Sequence, residues 1–146
     1  MEGESLYRFP ARMESLASML ALLRPHAAAV GEEPLLRAET AIEELLTNTL
    51  VHGEAIRNPQ ACVWLAVTLE DRACALQYQD TQLPFDPHTR IAEAMQRTAN
   101  PMEQRPPGGL GLLMVYRLAD GFRYQREGDR NCIDLLFKSR MADVAV

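Results

Sequence analysis

A helix-forming segment and a glycine turn further along the chain constrain the fold more than any other feature. On a helix, Glu44 and Asn48 are four residues apart and project from one face, within reach of the same metal ion or phosphate. The turn from Gly108 to Leu112 (Gly-Gly-Leu-Gly-Leu) opens another predicted helix. Unpaired backbone N–H groups and the positive end of the helix dipole favour a phosphate there. Together the two segments predict a nucleotide-binding site.

Length, charge and composition limit the protein to which such a site can belong. The 146 residues predict one domain, spanning residues 1–146 and long enough to bury a core. The formal net charge is -5 and the arginines are scattered, which argues against a nucleic-acid partner. No apolar run is long enough to cross a bilayer and the first residues lack a basic signal segment, so we expect a cytoplasmic protein without membrane association. Cys62, Cys74 and Cys132 lie in strand-like apolar segments without C-x-x-C spacing, which predicts buried free thiols.

Alternating strand and helix patterns predict an α+β fold. We expect a short strand from Ser5 to Phe9 and an amphipathic helix from about Arg12 to Val30, with Pro25 as a kink or stop. Further helices are predicted at Pro34–Val51, Thr89–Thr98 and Leu110–Ala119, and hairpins at Ala61–Gln79 and Phe122–Phe137. Paired strands with helices on one side predict a two-layer α/β sandwich. Its sheet is expected to be mixed, mainly antiparallel and covered on one face by helices.

The helix from Pro34 to Val51 has a core stripe that defines which face remains for chemistry. The members of the stripe recur at helical spacing and are Leu35, Ala38, Ile42, Leu45, Leu46 and Thr49. Glu44 and Asn48 lie about 40° apart on the opposite side. Taken singly, these two residues are also what a solvated helix face shows. His52 followed by a glycine is also typical of a helix C-terminus, and Asp80 near a proline is also typical of a turn.

Three motifs, taken in order, resemble the GHKL ATPase family, whose nucleotide fold is shared by gyrase, chaperone, mismatch-repair and histidine-kinase ATP domains. The first motif is E-x-x-x-N with a His four residues on, and Glu44, Asn48 and His52 match it. The second is D-x-G-x-P-F-D, matched from Asp80 to Asp86 except at its third position. The third is G-G-L-G-L followed by an apolar helix ending in Asp, matched from Gly108 to Asp120. The resemblance covers nearly the whole chain and is closest to the anti-sigma-factor serine kinases of bacterial partner switches.

The resemblance implies a role for each matched residue. Asn48 would coordinate Mg²⁺, and Glu44 would be the base that accepts the proton of an incoming hydroxyl. Asp80 would accept a hydrogen bond from the exocyclic amine of adenine and so select ATP. The three glycines of the third motif, Gly108, Gly109 and Gly111, would let backbone N–H groups approach the phosphates. The other nucleotide-binding residues implied are His52, Gln82, Phe85, Arg105, Gly108, Gly109, Leu110, Gly111 and Leu112.

Two parts of the predicted site leave alternatives open. Gln82 stands where the family has glycine. Its side chain either crowds the adenine pocket or forces a different φ at this residue. Alternatively, the side chain points outward or donates a hydrogen bond to adenine. The segment from Thr89 to Pro107 contains few core residues and several prolines. We expect it to be a mobile lid that becomes ordered when nucleotide binds, because it buries too little surface to hold itself.

Two functions of different classes follow from the resemblance. In the first, the protein is an ATP-dependent serine kinase that phosphorylates a STAS-domain antagonist and thereby controls a sigma factor or a similar output regulator. In the second, it is a degenerate kinase that acts as a binding adaptor and turns over ATP poorly. Glu44 and Asn48 favour the first function, whereas Gln82 favours the second. A sensor histidine kinase fits less well, since we expect no dimerisation helix with a phospho-acceptor His, and homodimerisation is implied by the family alone.

Overall fold

The fold is organised around an antiparallel sheet. A computed structural model describes residues 5–52, 58–84, 86–98 and 110–140, with the backbone alone at positions 52, 97 and 98. Its strands are β1 (Tyr7–Pro10), β2 (Cys62–Glu70), β3 (Ala73–Asp80), β4 (Gly121–Glu127) and β5 (Arg130–Phe137). Their order across the sheet is β1-β2-β3-β5-β4. Each pairing within these ranges is antiparallel, where the sequence predicted a mixed, mainly antiparallel sheet.

Helices pack on one face of this sheet and complete the predicted α+β sandwich. They are α1 (Leu16–Ala21), α2 (Ala27–Val30), α3 (Glu32–His52), α4 (Pro87–Thr98) and α5 (Leu110–Leu118). The predicted fold class is therefore confirmed. Within the described ranges, no helix combines the length and the apolar character needed to cross a membrane.

The N-terminal segment differs from its prediction. The single helix expected over residues 12–30 is broken into two 3₁₀ turns and the short helices α1 and α2. Pro25 causes the main break because it lacks an N–H group and restricts the residue before it, and Gly31 ends α2 with a φ of 99°. The first strand begins at Tyr7 rather than Ser5 and includes Pro10. Proline is tolerated there because β1 is an edge strand.

The core lies between α3 and the helix-facing side of the sheet. All six residues of the predicted α3 stripe are buried, including the polar Thr49, which is 1% exposed. Alternate residues of the central strands face this stripe, as the period of two in a strand requires. They are Val63, Leu65, Cys74, Leu76, Tyr78, Ile133, Leu135 and Phe137. Burying these side chains against α3 is the main apolar contribution to the fold.

Helix α5 is less buried than its sequence predicts. The apolar run from Leu110 to Ala119 predicts burial on all sides. In the structure Leu112, Leu113 and Val115 pack in the core, while the side chains at positions 110, 114 and 116 are exposed. One face of α5 packs against α3 and α4, and the other lies at the surface of the described part of the molecule.

Two hairpins fix the register of the sheet. Asp71 and Arg72 form a two-residue turn between β2 and β3 with φ of 53° and 66°, the left-handed pair that a type I′ turn requires. The turn between β4 and β5 contains Gly128, at φ 59°, and Asp129. Both predicted hairpins are confirmed, and β3, β4 and β5 are longer than the sequence patterns indicated.

Arg37 ties the start of α3 to the end of α5 and the end of β5. Its guanidinium is buried and donates to Glu33 through Nε and Nη2, at 2.7 and 3.0 Å. It also donates to the carbonyl of Leu118 at 2.6 Å, to the carboxylate of Asp120 at 3.2 Å and to the carbonyl of Lys138. All five N–H donors of the guanidinium thus have an acceptor. We call this cluster the Arg37 clamp.

The face of the sheet opposite the helices carries a row of linked side chains. The guanidinium of Arg130 stacks 3.6 Å from the ring centre of Trp64, the only tryptophan in the sequence. Arg130 also donates to the amide oxygen of Gln79 at 3.0 Å, and Gln79 donates to Gln77 at 2.6 Å. Gln77 in turn donates to Asp134 at 2.9 Å. This row joins β2, β3 and β5 across the sheet.

The three cysteines are free thiols, as predicted, but only two of them are buried. Cys74 and Cys132 are buried, and Cys62 is partly buried. Burial raises the pKa of both the Cys74 and the Cys132 thiol to about 11, so both stay protonated at neutral pH. A protonated, buried thiol is a packing group and a poor nucleophile.

Candidate active site

Three elements bring predicted site residues together at one end of the sheet, and a fourth element adds a residue to which the sequence patterns assigned no role. Glu44 and Asn48 lie in the second half of α3. Asp80 is the last residue of β3 and pairs with Asn131, the second residue of β5. Gly111 is the second residue of α5. The first, second and third motifs therefore meet in space although they are far apart in the sequence.

Glu44 lies against the first turn of α5. A β-carbon placed on Gly111 would lie 2.7 Å from Glu44 Oε2, so the carboxylate occupies the space that a side chain at position 111 would need. Glu44 and Asn48 are both half-buried, unlike residues of a fully solvated helix face. The N–H groups of the first turn of a helix have no partner within the helix. The carboxylate therefore stands beside the place where these groups favour a phosphate.

Asp80 is buried and accepts hydrogen bonds from three described groups. Thr49 Oγ1 donates to Oδ2 at 2.8 Å, and Asn131 Nδ2 donates to Oδ1 at 3.0 Å. The backbone N–H of Gln82 also approaches Oδ1, at 3.3 Å. The side chain is 5% exposed, so these bonds stabilise a carboxylate that has lost most of its water. An ionised carboxylate only accepts hydrogen bonds and therefore suits an amine better than a carbonyl.

Gln82 has an ordinary backbone conformation and a buried side chain. Among the described residues, Asp71 and Arg72 alone combine a side chain with a positive φ, so glutamine at position 82 does not adopt the left-handed region. Its carbonyl accepts hydrogen bonds from Arg126 Nη1 at 2.7 Å and from Asn131 Nδ2 at 3.2 Å. The residue is 8% exposed, which excludes the outward orientation that the sequence left open. Its side chain therefore lies inside the protein, and its backbone N–H is the group that contacts Asp80.

Asn131 is a central residue of the site to which sequence patterns assigned no role. Its amide nitrogen donates to Asp80 and to the carbonyls of Gln82 and Leu83, and its oxygen accepts a 2.6 Å hydrogen bond from the Tyr124 hydroxyl. The residue is 2% exposed. A signal was present in the sequence, because Asn131 falls in the inward-facing register of β5 among apolar residues. A buried amide at such a position needs several partners.

Some predicted site residues lie outside the part of the chain that the structure describes. They are the side chain of His52 and the whole of Phe85, Arg105, Gly108 and Gly109. The predicted lid falls partly on α4, and its portion after residue 98 lies outside the described residues as well. Leu110 starts α5 with an exposed side chain. The side chain of Leu112 packs in the core, which leaves its backbone for any contact with a nucleotide.

Asp86, the last residue of the second motif, caps α4. Its carboxylate accepts a hydrogen bond from the backbone N–H of His88 at 2.9 Å and another from the hydroxyl of Thr89 at 3.1 Å. An N-cap aspartate satisfies backbone donors that the helix cannot pair itself. Asp86 thus has a structural role at the start of α4, shortly before the segment predicted to be a lid.

The donor set fits magnesium held jointly with phosphate. The amide oxygen of Asn48 is a hard ligand of the kind that Mg²⁺ prefers, and Mg²⁺ commonly takes one or two protein ligands and completes its shell with phosphates and water. Among the described residues, no three His, Cys, Asp or Glu side chains form a metal cluster by themselves. When bound, the ion would neutralise charge on the phosphate oxygens.

Comparison with known families identifies the fold of this site. A family model described as "Histidine kinase-like ATPase domain" matches residues 9–137, which include all three motifs. The chain belongs to this family. Membership makes it a nucleotide-binding domain of the ATPase type, in agreement with the resemblance to GHKL ATPases that the motifs carry.

Comparison with solved structures supports the same fold. The crystal structure of the RsbU and RsbW domains of Rv1364c from Mycobacterium tuberculosis is similar to this chain, with a TM-score of 0.57 and 17% sequence identity. The similarity covers 92% of this chain and 32% of that one, so the chain spans about a third of the length of the solved chain. A search of curated proteins gave no match.

Proposed function

We propose that the chain is an ATP-dependent protein serine kinase that phosphorylates a STAS-domain antagonist in a partner switch and so regulates transcription through a sigma factor or a similar output regulator. One observation carries the kinase proposal: the carboxylate of Glu44 lies against Gly111, at the first turn of α5. A base in this position is next to the place where the terminal phosphate of a nucleotide would be held. The class of partner rests on the resemblance of the motifs to anti-sigma-factor serine kinases.

The proposed reaction requires one proton acceptor from the protein. The serine hydroxyl of the partner attacks the γ-phosphorus of ATP, so that a new P–O bond forms and the bond between the γ-phosphorus and the β,γ-bridging oxygen breaks. The hydroxyl proton passes to the Glu44 carboxylate, and ADP leaves with the bridging oxygen. Little covalent chemistry is asked of the protein, since positioning and charge neutralisation supply most of the catalysis of phosphoryl transfer.

Replacement of Glu44 tests the proposed base. Glu44→Gln keeps the size of the side chain and removes its ability to take a proton, so we expect phosphate transfer to fall at least about 100-fold while ATP binding is retained. Glu43→Gln is the matched control, because Glu43 is the preceding residue on α3 and is exposed. Transfer of labelled γ-phosphate to a purified STAS-domain protein is measured beside calorimetric ATP binding. Undiminished transfer by Glu44→Gln would remove the base role and leave positioning as the whole mechanism.

Replacement of Asn48 tests the proposed magnesium ligand. Asn48→Ala deletes the amide oxygen, so we expect it to lose the magnesium-dependent part of ATP affinity as well as phosphate transfer. Thr47→Ala is the control, since Thr47 is the preceding residue on α3 and is exposed. The measurement is ATP affinity with Mg²⁺ and with EDTA. An equal magnesium effect in wild type and Asn48→Ala would contradict the assignment.

A second candidate, a binding adaptor with weak ATP turnover, is supported by the burial of Gln82. Its side chain is buried and its backbone N–H contacts Asp80, at the position where the family carries glycine. The Gln82→Gly variant separates the two candidates. If the side chain of Gln82 obstructs the binding of adenine, the Gln82→Gly variant binds ATP more tightly than wild type. Wild-type protein that binds the STAS-domain partner tightly yet transfers no phosphate would establish the adaptor instead.

A further inference from the structure

We propose that the hydroxyls of Tyr78 and Thr49 form a relay that orients the Asp80 carboxylate and makes Thr49 a determinant of nucleotide-base selectivity. This inference rests on the proposed nucleotide function. It concerns two residues that are buried in the structure, one in the predicted α3 stripe and one in β3. Neither needs to touch the nucleotide in order to act. Both would be positioning residues.

The relay is defined by two short contacts in a buried region, and Thr49 has one further acceptor within reach. Tyr78 OH lies 2.6 Å from Thr49 Oγ1, and Thr49 Oγ1 lies 2.8 Å from Asp80 Oδ2. Thr49 is also 3.1 Å from the carbonyl of Leu45, one turn earlier on α3. Tyr78 and Thr49 are 3% and 1% exposed, so water does not compete for these hydroxyls.

The directions of the hydrogen bonds follow from the number of protons available. Thr49 has one hydroxyl proton, and the carboxylate and the Leu45 carbonyl both lie within its reach. The charged acceptor is closer and forms the stronger bond, so the proton points to Asp80. Tyr78 then donates to Thr49 Oγ1, since burial raises its pKa well above the ordinary value and keeps it protonated. The chain of donors therefore runs from Tyr78 through Thr49 to Asp80.

Counting lone pairs shows what the relay leaves for a ligand. A carboxylate offers about four acceptor positions, two on each oxygen. Oδ1 accepts from Asn131 and from the N–H of Gln82, and Oδ2 accepts from Thr49. Among the described residues nothing further donates to Asp80, so one position on Oδ2 is left. A single N–H donor, such as the exocyclic amine of adenine, can use that position, whereas the carbonyl of guanine is repelled by it.

Loss of the Thr49 hydroxyl should therefore weaken recognition of adenine by Asp80. Thr49→Val keeps the shape of the side chain and removes the donor, so Oδ2 loses its hydrogen bond to α3 and the carboxylate is held by Asn131 and Gln82 through Oδ1. A hydrogen bond to a charged acceptor is worth about tenfold or more in affinity, so we expect ATP binding to weaken about tenfold. GTP presents a carbonyl at the corresponding position of its base, so its affinity should depend less on the orientation of this carboxylate. The preference for ATP over GTP should thus fall about tenfold.

Calorimetry with Mg-ATP and Mg-GTP on a set of variants tests the relay. Thr49→Ser retains the hydroxyl and should retain wild-type selectivity. Thr40→Val is the matched control, because Thr40 makes the same contact to a carbonyl one turn earlier on α3, at 3.0 Å to Leu36, without touching Asp80. Tyr78→Phe removes the first donor and should lower selectivity by a smaller factor. If Thr49→Val does not fold, the pair Thr49→Ala and Thr49→Ser differs by the same hydroxyl and gives the same comparison.

The outcomes separate the relay from the proposed function. Wild type that prefers ATP, with reduced preference in Thr49→Val and full preference in Thr49→Ser and Thr40→Val, supports the relay. An unchanged ratio of ATP to GTP affinity in both Thr49→Val and Thr49→Ala overturns the relay and leaves nucleotide binding intact. Equal losses of ATP and GTP affinity also overturn it, because they indicate a structural defect. Wild type that binds neither nucleotide overturns the proposed function together with the relay.

Discussion

At the scale of single residues, the contact between Glu44 and Gly111 links two motifs. The glycine of the third motif is usually explained by close approach of phosphate to the backbone. Here the same glycine makes room for the carboxylate of the first motif, since any β-carbon at position 111 would collide with Glu44 Oε2. Gly111 therefore constrains where the proposed base can stand even before a nucleotide binds.

We expect Gly111→Ala to uncouple stability from activity. Alanine is favoured over glycine inside a helix by up to about 1 kcal/mol, and Glu44 can yield because the atom in conflict is the tip of a flexible side chain. Thermal stability should be kept or increased, while phosphate transfer falls because the base is displaced. The test is a double-mutant comparison. If Gly111→Ala acts through Glu44, it adds nothing to Glu44→Gln, and an additive loss of transfer would contradict this interpretation.

Sequence patterns predicted some of these residues well and others incompletely, for a physical reason. The spacing of Glu44 and Asn48 is local to one helix, so periodicity alone places both side chains on one face. Thr49 was predicted to be buried and is buried, but periodicity cannot show that its hydroxyl bonds a carboxylate on β3. The role of Asn131 was even harder to predict from the sequence. Its partners depend on the pairing of β3 with β5, which joins positions 51 residues apart.

At the scale of elements, the turn between β2 and β3 contains residues that do not favour its backbone conformation. Asp71 and Arg72 both adopt positive φ, which costs a non-glycine residue about 1 kcal/mol. We expect the double substitution of Asp71→Asn with Arg72→Gly, the Asn-Gly pair preferred in type I′ turns, to stabilise the protein by about 1 kcal/mol. Urea unfolding measures the change. A double variant less stable than wild type would show that the native side chains of this turn make compensating interactions.

The turn of the second hairpin allows the opposite substitution, from glycine to a residue with a side chain at a positive φ. Gly128 has a φ of 59° and open space around it, so Gly128→Ala should destabilise through backbone strain alone, by about 1 kcal/mol. The same urea unfolding measurement applies. Unchanged stability in Gly128→Ala would show that positive φ carries no cost in these turns.

Element boundaries were predicted best where one signal dominated. Both hairpins were found because polar turn residues interrupt strongly β-forming runs. The segment from 12 to 30 was predicted as one helix because its apolar spacing continues through Pro25, whereas the backbone breaks there. Helix α5 was predicted to be fully buried from composition. Composition cannot tell which face of an apolar helix meets another element.

At the scale of the whole molecule, the Arg37 clamp makes stability depend on pH. The hydrogen bonds from Arg37 lower the pKa of Glu33 below its ordinary value of 4.5. Burial tends to raise the pKa of Asp120, but hydrogen bonds from the Lys138 N–H, Arg140 and Arg37 outweigh it, and the net shift is below the ordinary 3.8. Lowered folded-state values contribute stability above the unfolded pKa. That stability is lost as the pH falls through the folded pKa.

Removal of the clamp should weaken both stability and its response to acid. Arg37→Met leaves the partly buried Asp120 and the Leu118 carbonyl without this donor, which we expect to cost about 3 kcal/mol. The free energy of urea unfolding, measured between about pH 7 and about pH 3, should fall less steeply in the variant than in wild type. Arg123→Met is the control, since Arg123 forms an exposed ion pair at 3.7 Å. Equal acid sensitivity in wild type and Arg37→Met would assign the pH response to other carboxylates.

The stacking of Arg130 on Trp64 gives the molecule an optical reporter. Indole emission responds to charge and polarity at the ring, and the guanidinium lies 3.6 Å from the ring centre. The next residue along β5 is Asn131, which holds Asp80 and the carbonyl of Gln82. Displacement of Asn131 at the inner face of the sheet would shift Arg130 on the outer face, because the two are adjacent in one strand. With a single tryptophan in the chain, all of the indole emission comes from this position, and selective excitation of tryptophan allows events at the proposed adenine site to be followed without attaching a dye.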